Sequence, residues 1–349
     1  VDVSELRFIG PVSPLPVRVN FVSKSRSRWD DLLTSEDPAR SLQEVPDRVI
    51  LHEDMAIIQT YVNLRSAGLD VALVESPVAA EINVASSIDL GVRDYSPEAF
   101  VVAFRADWAR PFLSNVTLTM NSGIATRRNE FMMPHWVQTG LIPRDTTRGD
   151  RMERLVFKGE LVNLDQRFAM SDFARDLAAF GVTFRAESYD PVLKRSNWHD
   201  YSGVDAVLAI RSITALELST KPAAKLVNAW AAGVPAILGK EPAFRELRLS
   251  ELDYLEASTP DEVIDAVRRL ATDAALYRAM IERGTERAAA YTNQRMVERW
   301  RDMLGGPVYS EYQRWAEASS VRRRVLHTGR ALAHKWANLQ FTRRQQTIK

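Results

Sequence analysis

Residues 219–239, STKPAAKLVNAWAAGVPAILG, require a helix that stops and a strand that starts at once. Ser219 or Thr220 can cap the helix and Pro222 suits its first turn. Gly233 occupies the left-handed C-terminal position, with Pro235 just beyond. The spacing predicts a helix over 221–232 and a strand over 234–238. At 100° per residue Ala223, Leu226, Val227 and Trp230 form one apolar stripe, and Lys221, Lys225, Asn228 and Ala232 lie opposite. Lysines in a first turn oppose the helix dipole by ~0.3–1 kcal/mol each. A bound anion reverses that sign, because amides, dipole and two ammonium groups then converge on a phosphate or diphosphate. A solvated, lysine-bearing face is the alternative reading.

The rest of the chain repeats this alternation. A strand over 17–22 leads into a polar, irregular stretch, 23–46, holding Lys24, Arg26 and Arg28. A helix over 53–67, stopped by Gly68, is followed by strands over 69–75, 99–104 and 116–121. After an aperiodic crossing the pattern restarts with a strand over 155–157 and a helix over 165–180. Strands over 182–186 and 204–210 follow, the latter delivering Arg211 at its end. A last strand over 252–257 precedes helices over 260–270, 273–290 and 292–304. Near-continuous apolar strands between helices indicate parallel sheets covered on both faces. The expected fold class is α/β, with two Rossmann-like, doubly wound parallel-sheet domains facing a cleft. Their expected bounds are 1–130 and 152–305, with an interdomain linker over 131–151 and a helical tail over 306–349. In open parallel sheets ligands bind beyond the C-terminal strand ends. Gly159, Arg211 and the start of the Lys221 helix all fall at that edge of the second domain.

With 349 residues, 46% hydrophobic and 26% charged, the chain has the composition of a globular protein with two cores. It has no cysteine, which excludes disulfides, thiolate nucleophiles and cysteine-held metals. Its five histidines show no paired spacing, so no metal site is expected. No secretory signal or membrane span stands out, which makes the cytoplasm the expected compartment. No GxGxxG follows a strand, which disfavours a dehydrogenase.

Two doubly wound domains with an anion-gripping helix in the second resemble the GT-B nucleotide-sugar glycosyltransferases. The likeness is strongest over KLVNAWAAGVPAILG, similar to the family's helix ending in A-x-G-x-P. It extends to Phe157-Lys158-Gly159 and to the closing helices with Tyr291, Arg295 and Trp300. The resemblance implies transfer of a hexosyl or deoxyhexosyl group from a nucleotide-diphosphate sugar. It implies a glycan or lipid-linked acceptor, surface polysaccharide or glycoconjugate synthesis, and no cofactor or metal. It makes Gly159 the close-approach glycine, with Glu160 beside it. Lys225 then neutralises the diphosphate, with Arg211 and Lys221 as candidates alongside. Many retaining members place two glutamates around this helix; here those positions are Thr220 and Asn228, which leaves the stereochemistry open. A catalytic base for the acceptor is expected from the first domain, with His52, Glu53, Asp54, Asp107 and His135 as candidates. The plainer reading of each is a helix cap, for the carboxylates, or a hydrogen-bonded group, for the histidines. Residues 197–201 could touch the nucleotide base, and Lys24, Arg26 and Arg28 an anionic acceptor. Alternatives within the same fold are a nucleotide-sugar epimerase and a noncatalytic binding protein.

The tail is electrostatically separate. Residues 318–349 carry eight Lys/Arg and no acid, which leaves 38 basic and 45 acidic groups, net −7, in the preceding 317. A helix is expected over 310–341, with apolar points at Tyr312, Trp315, Val321, Val325, Leu332 and Trp336. Such a segment can lie on an anionic membrane, placing the protein at the inner face. Packing against the acidic remainder is the other reading. Nucleic acid is not an expected partner, since no binding module accompanies the basic residues.

Overall fold

The computed structural model describes residues 3–193 and 195–348. It contains two compact units. One comprises Ile9–Leu42, Ile50–Pro134 and Met296–Lys349. The other comprises the segment ending at Phe8, Gln43–Val49 and His135–Arg295.

The first unit is built on six parallel strands: β1 (Val19–Val22), β2 (Val71–Val74), β3 (Ile82–Ser86), β4 (Phe100–Phe104), β5 (Val116–Thr119) and β6 (Glu130–Met132). Their spatial order is β2-β1-β3-β4-β5-β6. Val19 faces both Val71 and Ile82, so β1 lies between β2 and β3. β1, β3, β4 and β5 are buried along their whole length, as expected of strands covered on both faces. β3 and β6 lie outside the expected strands. Ile82, Val84 and Ala85 make only a short apolar run interrupted by Asn83, whose side chain bonds the Val78 amide and carbonyl. β6 is formed by pairing with β5 rather than by any local pattern.

The second unit repeats the topology with β7 (Arg154–Lys158), β8 (Thr183–Glu187), β9 (Ala206–Ala209), β10 (Ala236–Leu238) and β11 (Leu255–Glu256), in the order β11-β10-β9-β7-β8. Phe157, Phe168, Phe173, Leu208, Ile237 and Tyr277 lie in its core. Asp205, just before β9, is fully buried and ties several segments together. Its carboxylate accepts hydrogen bonds from Arg144 and Arg148 and from the amides of Glu153 and Arg154, at 2.7–3.1 Å. Its carbonyl accepts from the Tyr277 hydroxyl.

The helix expected over 221–232 starts only at Ala224 and ends at Ala232, divided by an extended Lys221 from a separate helix, Ala215–Thr220, that precedes it. Thr214 and Glu217 form a reciprocal capping box that starts the first. Thr220 therefore ends a helix rather than capping one, and Lys221 is extended (φ −69°, ψ 145°). Only Lys225 stands in the first turn of the second helix. Gly233 is left-handed (φ 68°, ψ 40°) and ends it as expected. Leu226, Val227 and Trp230 are buried, but so are Asn228 and Ala232, so the opposite face is not solvated. The helix expected over 165–180 is likewise divided, into a 3-10 turn, Gln166–Ala169, and an α-helix, Ser171–Ala178. Met170 is extended between them.

The contiguous ranges expected for the domains are crossed by the chain. Residues expected as a linker from His135 onward group with the second unit, whereas the closing helices from Met296 group with the first. Apolar packing is the physical reason for the return. Trp300 is fully buried with its ring centre 6.2 Å from Phe21 and 5.6 Å from Phe104. Tyr312 and Trp315 sit edge-on to Phe100. Replacing Trp300 by Ala should cost about 3–5 kcal/mol in urea unfolding, the range for emptying a buried aromatic site. The tail is helical as expected, over Tyr309–Ala316 and Ser320–Ile348. No described helix is long and apolar enough to cross a membrane.

Candidate functional site

In each sheet the first strand lies between the second and third, which opens a crevice at the C-terminal strand ends. The expected anion-binding residues gather at this edge of the second unit. β7 ends at Lys158, and Gly159 follows with φ +148°, a backbone state that side chains disfavour. A Cβ on Gly159 would lie 2.5 Å from Lys225 Nζ. The absence of a side chain is therefore what lets the ammonium approach the strand end.

Lys225 Nζ donates to the Lys158 carbonyl and sits 4.7 Å from the Phe157 ring centre. Burial, followed by repulsion from Arg211, Lys221 and Lys158, lowers its pKa to about 7. Glu241 opposes that shift. The Arg211 guanidinium pairs with Glu241 and is also buried. Burial raises the Glu241 carboxyl, and its Oε1 has no hydrogen-bond partner among the described residues. Lys158 donates to Glu187 (2.5 Å) and to the Asn197 carbonyl (2.6 Å), and burial lowers its pKa. The edge thus sets Lys158, Arg211, Lys221 and Lys225 against two paired acids, Glu187 and Glu241. It can take up an anion with two or more negative charges, whose field would restore the charge that Lys225 partly loses.

The other expected residues divide. Glu160 is exposed, 3.5 Å from the Ser188 hydroxyl. The Thr220 hydroxyl donates to the Glu217 carbonyl. Asn228 accepts from the Gln138 amide at 2.9 Å, so its side-chain oxygen is engaged within the protein. Within 197–201, Trp198 donates to the Glu187 carbonyl and Asn197 to its carboxylate, which fastens this excursion to the end of β8. Lys158, Glu187 and Glu241 were not singled out in the sequence. Lys158 was visible inside FKG, and Glu241 as an acid just past a strand end.

Three of the base candidates gather at the corresponding edge of the first unit. His52 Nδ1 is 3.0 Å from Ser86 Oγ at the end of β3, and its ring stacks on Phe104. Glu53 accepts from Ser23 (2.5 Å) and Ser25 (2.7 Å) just beyond β1. Asp54 accepts from the amides of Ile50 and Leu51 and pairs with Arg28. Burial nevertheless raises its carboxyl above the ordinary value. Lys24 pairs with Asp94. Asp107 is half-buried in the bend after β4. His135 belongs to the second unit, where burial lowers its pKa and its Nδ1 lies 2.9 Å from the Trp136 carbonyl. Among the described residues no cluster of three His, Asp or Glu is placed to hold a metal.

Residues 171–305, most of the unit that carries the Lys225 edge, match a family profile described as glycosyl transferase-like. Sucrose-phosphate synthase from Thermosynechococcus elongatus superposes with a TM-score of 0.53 at 9% identity, over 84% of this chain and 99% of that one. The chain has a GT-B fold. Two further GT-B structures are similar at lower scores. WaaB, a lipopolysaccharide outer core galactosyltransferase, matches at 10% identity and TM-score 0.45, over 84% of this chain and 100% of that one. TarM matches at 9% identity and 0.48, over 65% of this chain and 55% of its own length. No curated protein sequence matches this GT-B chain. The two repeated sheets and the helical closing segment thus agree with the expected GT-B class.

Proposed function

We propose that this GT-B protein transfers a hexosyl or deoxyhexosyl group from a nucleotide-diphosphate sugar to a glycan or lipid-linked acceptor, without a metal. Surface polysaccharide or glycoconjugate synthesis at the inner face of a membrane is the setting we infer. The observation that carries the reading is Lys225 lodged against Gly159 at the end of β7, with Arg211, Lys221 and Lys158 close enough to depress its pKa. In glycosyl transfer the bond from the anomeric carbon to the diphosphate oxygen breaks, and negative charge grows on the departing diphosphate. Cationic groups already in place stabilise that charge more than they stabilise the donor. For the acceptor hydroxyl, His52, beside Ser86 at the end of β3, and Asp54 on the same helix start are the proposed proton-handling groups.

Thermal unfolding with UDP, GDP, TDP, ADP and CMP tests this. At 100 times its dissociation constant, the correct diphosphate should add about 2.7 kcal/mol of stability, and Lys225→Ala should remove the shift. A noncatalytic binding protein is the second reading, favoured by the engagement of both Thr220 and Asn228 in bonds within the protein. Binding of a nucleotide sugar with neither transfer nor hydrolysis would select it.

A further inference from the structure

The helix Ser320–Ile348 presents two unlike faces. One is fastened to the first unit. His334 Nε2 lies 2.9 Å from the Leu90 carbonyl, Asn338 accepts from Trp108, and Phe341 packs on the Trp108 ring. At 100° per residue, Val321, Val325, Leu332, Trp336 and Leu339 fall within about 60° of one another on the opposite side. All five are 49–68% exposed. Exposed Arg324 and Lys335 flank this stripe on one shoulder and Arg322 on the other. A packed helix that repeats large apolar side chains on its free face, with cations on both shoulders and no acid, has the charge and shape of an interfacial helix.

A second observation lies on the Arg322 shoulder. A cavity of 440 Å³ opens between this helix and the β5–β6 edge, lined by Arg110, Arg127, Arg330, Glu130, Phe112 and Val325 among others. Arg110 pairs with Glu130 at 3.3 Å, and Arg127 lies over the Phe112 ring. Arg330 has no ion-pair partner among the described residues. Three guanidinium groups thus line the cavity with Glu130, Glu311 also acts on Arg330 from outside the lining, and Val325 is shared with the exposed stripe.

We propose that this face of the helix docks on an anionic lipid bilayer, with the apolar stripe entering the interface and the arginine cavity receiving a lipid phosphate. The proposal rests on the membrane setting inferred for the transfer reaction, and is independent of donor binding. Each cation near an anionic surface contributes multiplicatively to partitioning, so three together are worth about a hundredfold.

Flotation of the full chain with phosphatidylcholine vesicles, with or without phosphatidylglycerol, tests it. Binding is expected only to the anionic vesicles and should weaken in high salt. Arg322→Gln, Arg324→Gln and Lys335→Gln combined should reduce it about a hundredfold. Leu332→Asp with Trp336→Asp should abolish it, and Arg330→Gln should weaken it, all with unchanged nucleotide-induced thermal shifts. Failure to float with anionic vesicles overturns the proposal, as does concentration-dependent dimerisation that the Leu332/Trp336 pair removes. Arg330→Gln that floats like the parent, or parent binding displaced by millimolar inorganic phosphate alone, overturns the lipid-phosphate site. Loss of nucleotide shifts in the parent would instead count against the proposed transfer activity.

Discussion

Lys225→Met should lower affinity for the bound diphosphate by about 10²–10³-fold, the usual worth of a buried charge-assisted contact to a phosphate. Its pH signature separates this from a general loss of structure. With a pKa of about 7 in the unliganded protein, the ammonium is about half charged at neutral pH. A diphosphate beside it favours the charged form, so binding takes up a proton. Affinity should therefore fall as pH rises above 7, by up to about tenfold per unit. Calorimetric titration in two buffers of different ionisation heat would read the proton directly. In the Met variant both the uptake and the slope should vanish. The effect on unliganded stability has the opposite sign. Because folding depresses this lysine, the unfolded chain binds more protons between about pH 7 and the ordinary lysine range. Stability then rises with pH across that window, and the Met variant should be at least as stable as the parent at pH 7. A variant that loses binding only because it unfolds would refute this role.

Asp205→Ala should be the most damaging single change to the second unit, at about 3–5 kcal/mol in urea unfolding. Removing this carboxylate leaves Arg144, almost fully buried, and Arg148 without their shared counter-ion. It also leaves two β7-side amides unbonded. Burial alone would raise the Asp205 carboxyl, but the Arg148 bond, the Glu153 amide and Arg144 together hold it below the ordinary aspartate value. Its stabilisation is present above the unfolded pKa and is lost as pH falls through the lowered folded value. Asp205→Asn should accordingly flatten the acid limb of stability against pH. An unchanged acid limb would show that Asp205 is not the group being titrated.

These two residues also mark what could be read from the chain. Lys225 was legible because its signals are local: Gly233 and Pro235 end its helix, and its charge has the wrong sign for a first turn. Even there the start was misplaced. Pro222 suggested a first turn, while the Thr214–Glu217 capping box had already begun a separate helix. Asp205 was not legible, since its arginine partners stand 57–61 positions away. The same holds for Asn228, which resembled a ligand-binding position but whose partner, Gln138, is ninety residues off. The apolar alternation exposed the parallel strands with long runs. It did not expose β3 or β6, whose strand character comes from pairing with neighbours. His52, Glu53 and Asp54 were placed at a helix start by sequence alone; Ser23, Ser25 and Ser86 became their partners only once two strands lay side by side.

The return of Trp300 to Phe21 and Phe104 has a consequence for how the molecule is made. On a ribosome the six-stranded sheet is complete when Pro134 emerges, yet the aromatic side chain that fills its core is encoded roughly 160 residues later. At about 5–20 residues per second, that sheet waits on the order of ten to thirty seconds with an apolar face uncovered. The second unit, whose last helices precede Met296, has its own residues in hand earlier. Synthesis order and closure order are thus inverted: the sheet whose strands are finished first is the last to be sealed.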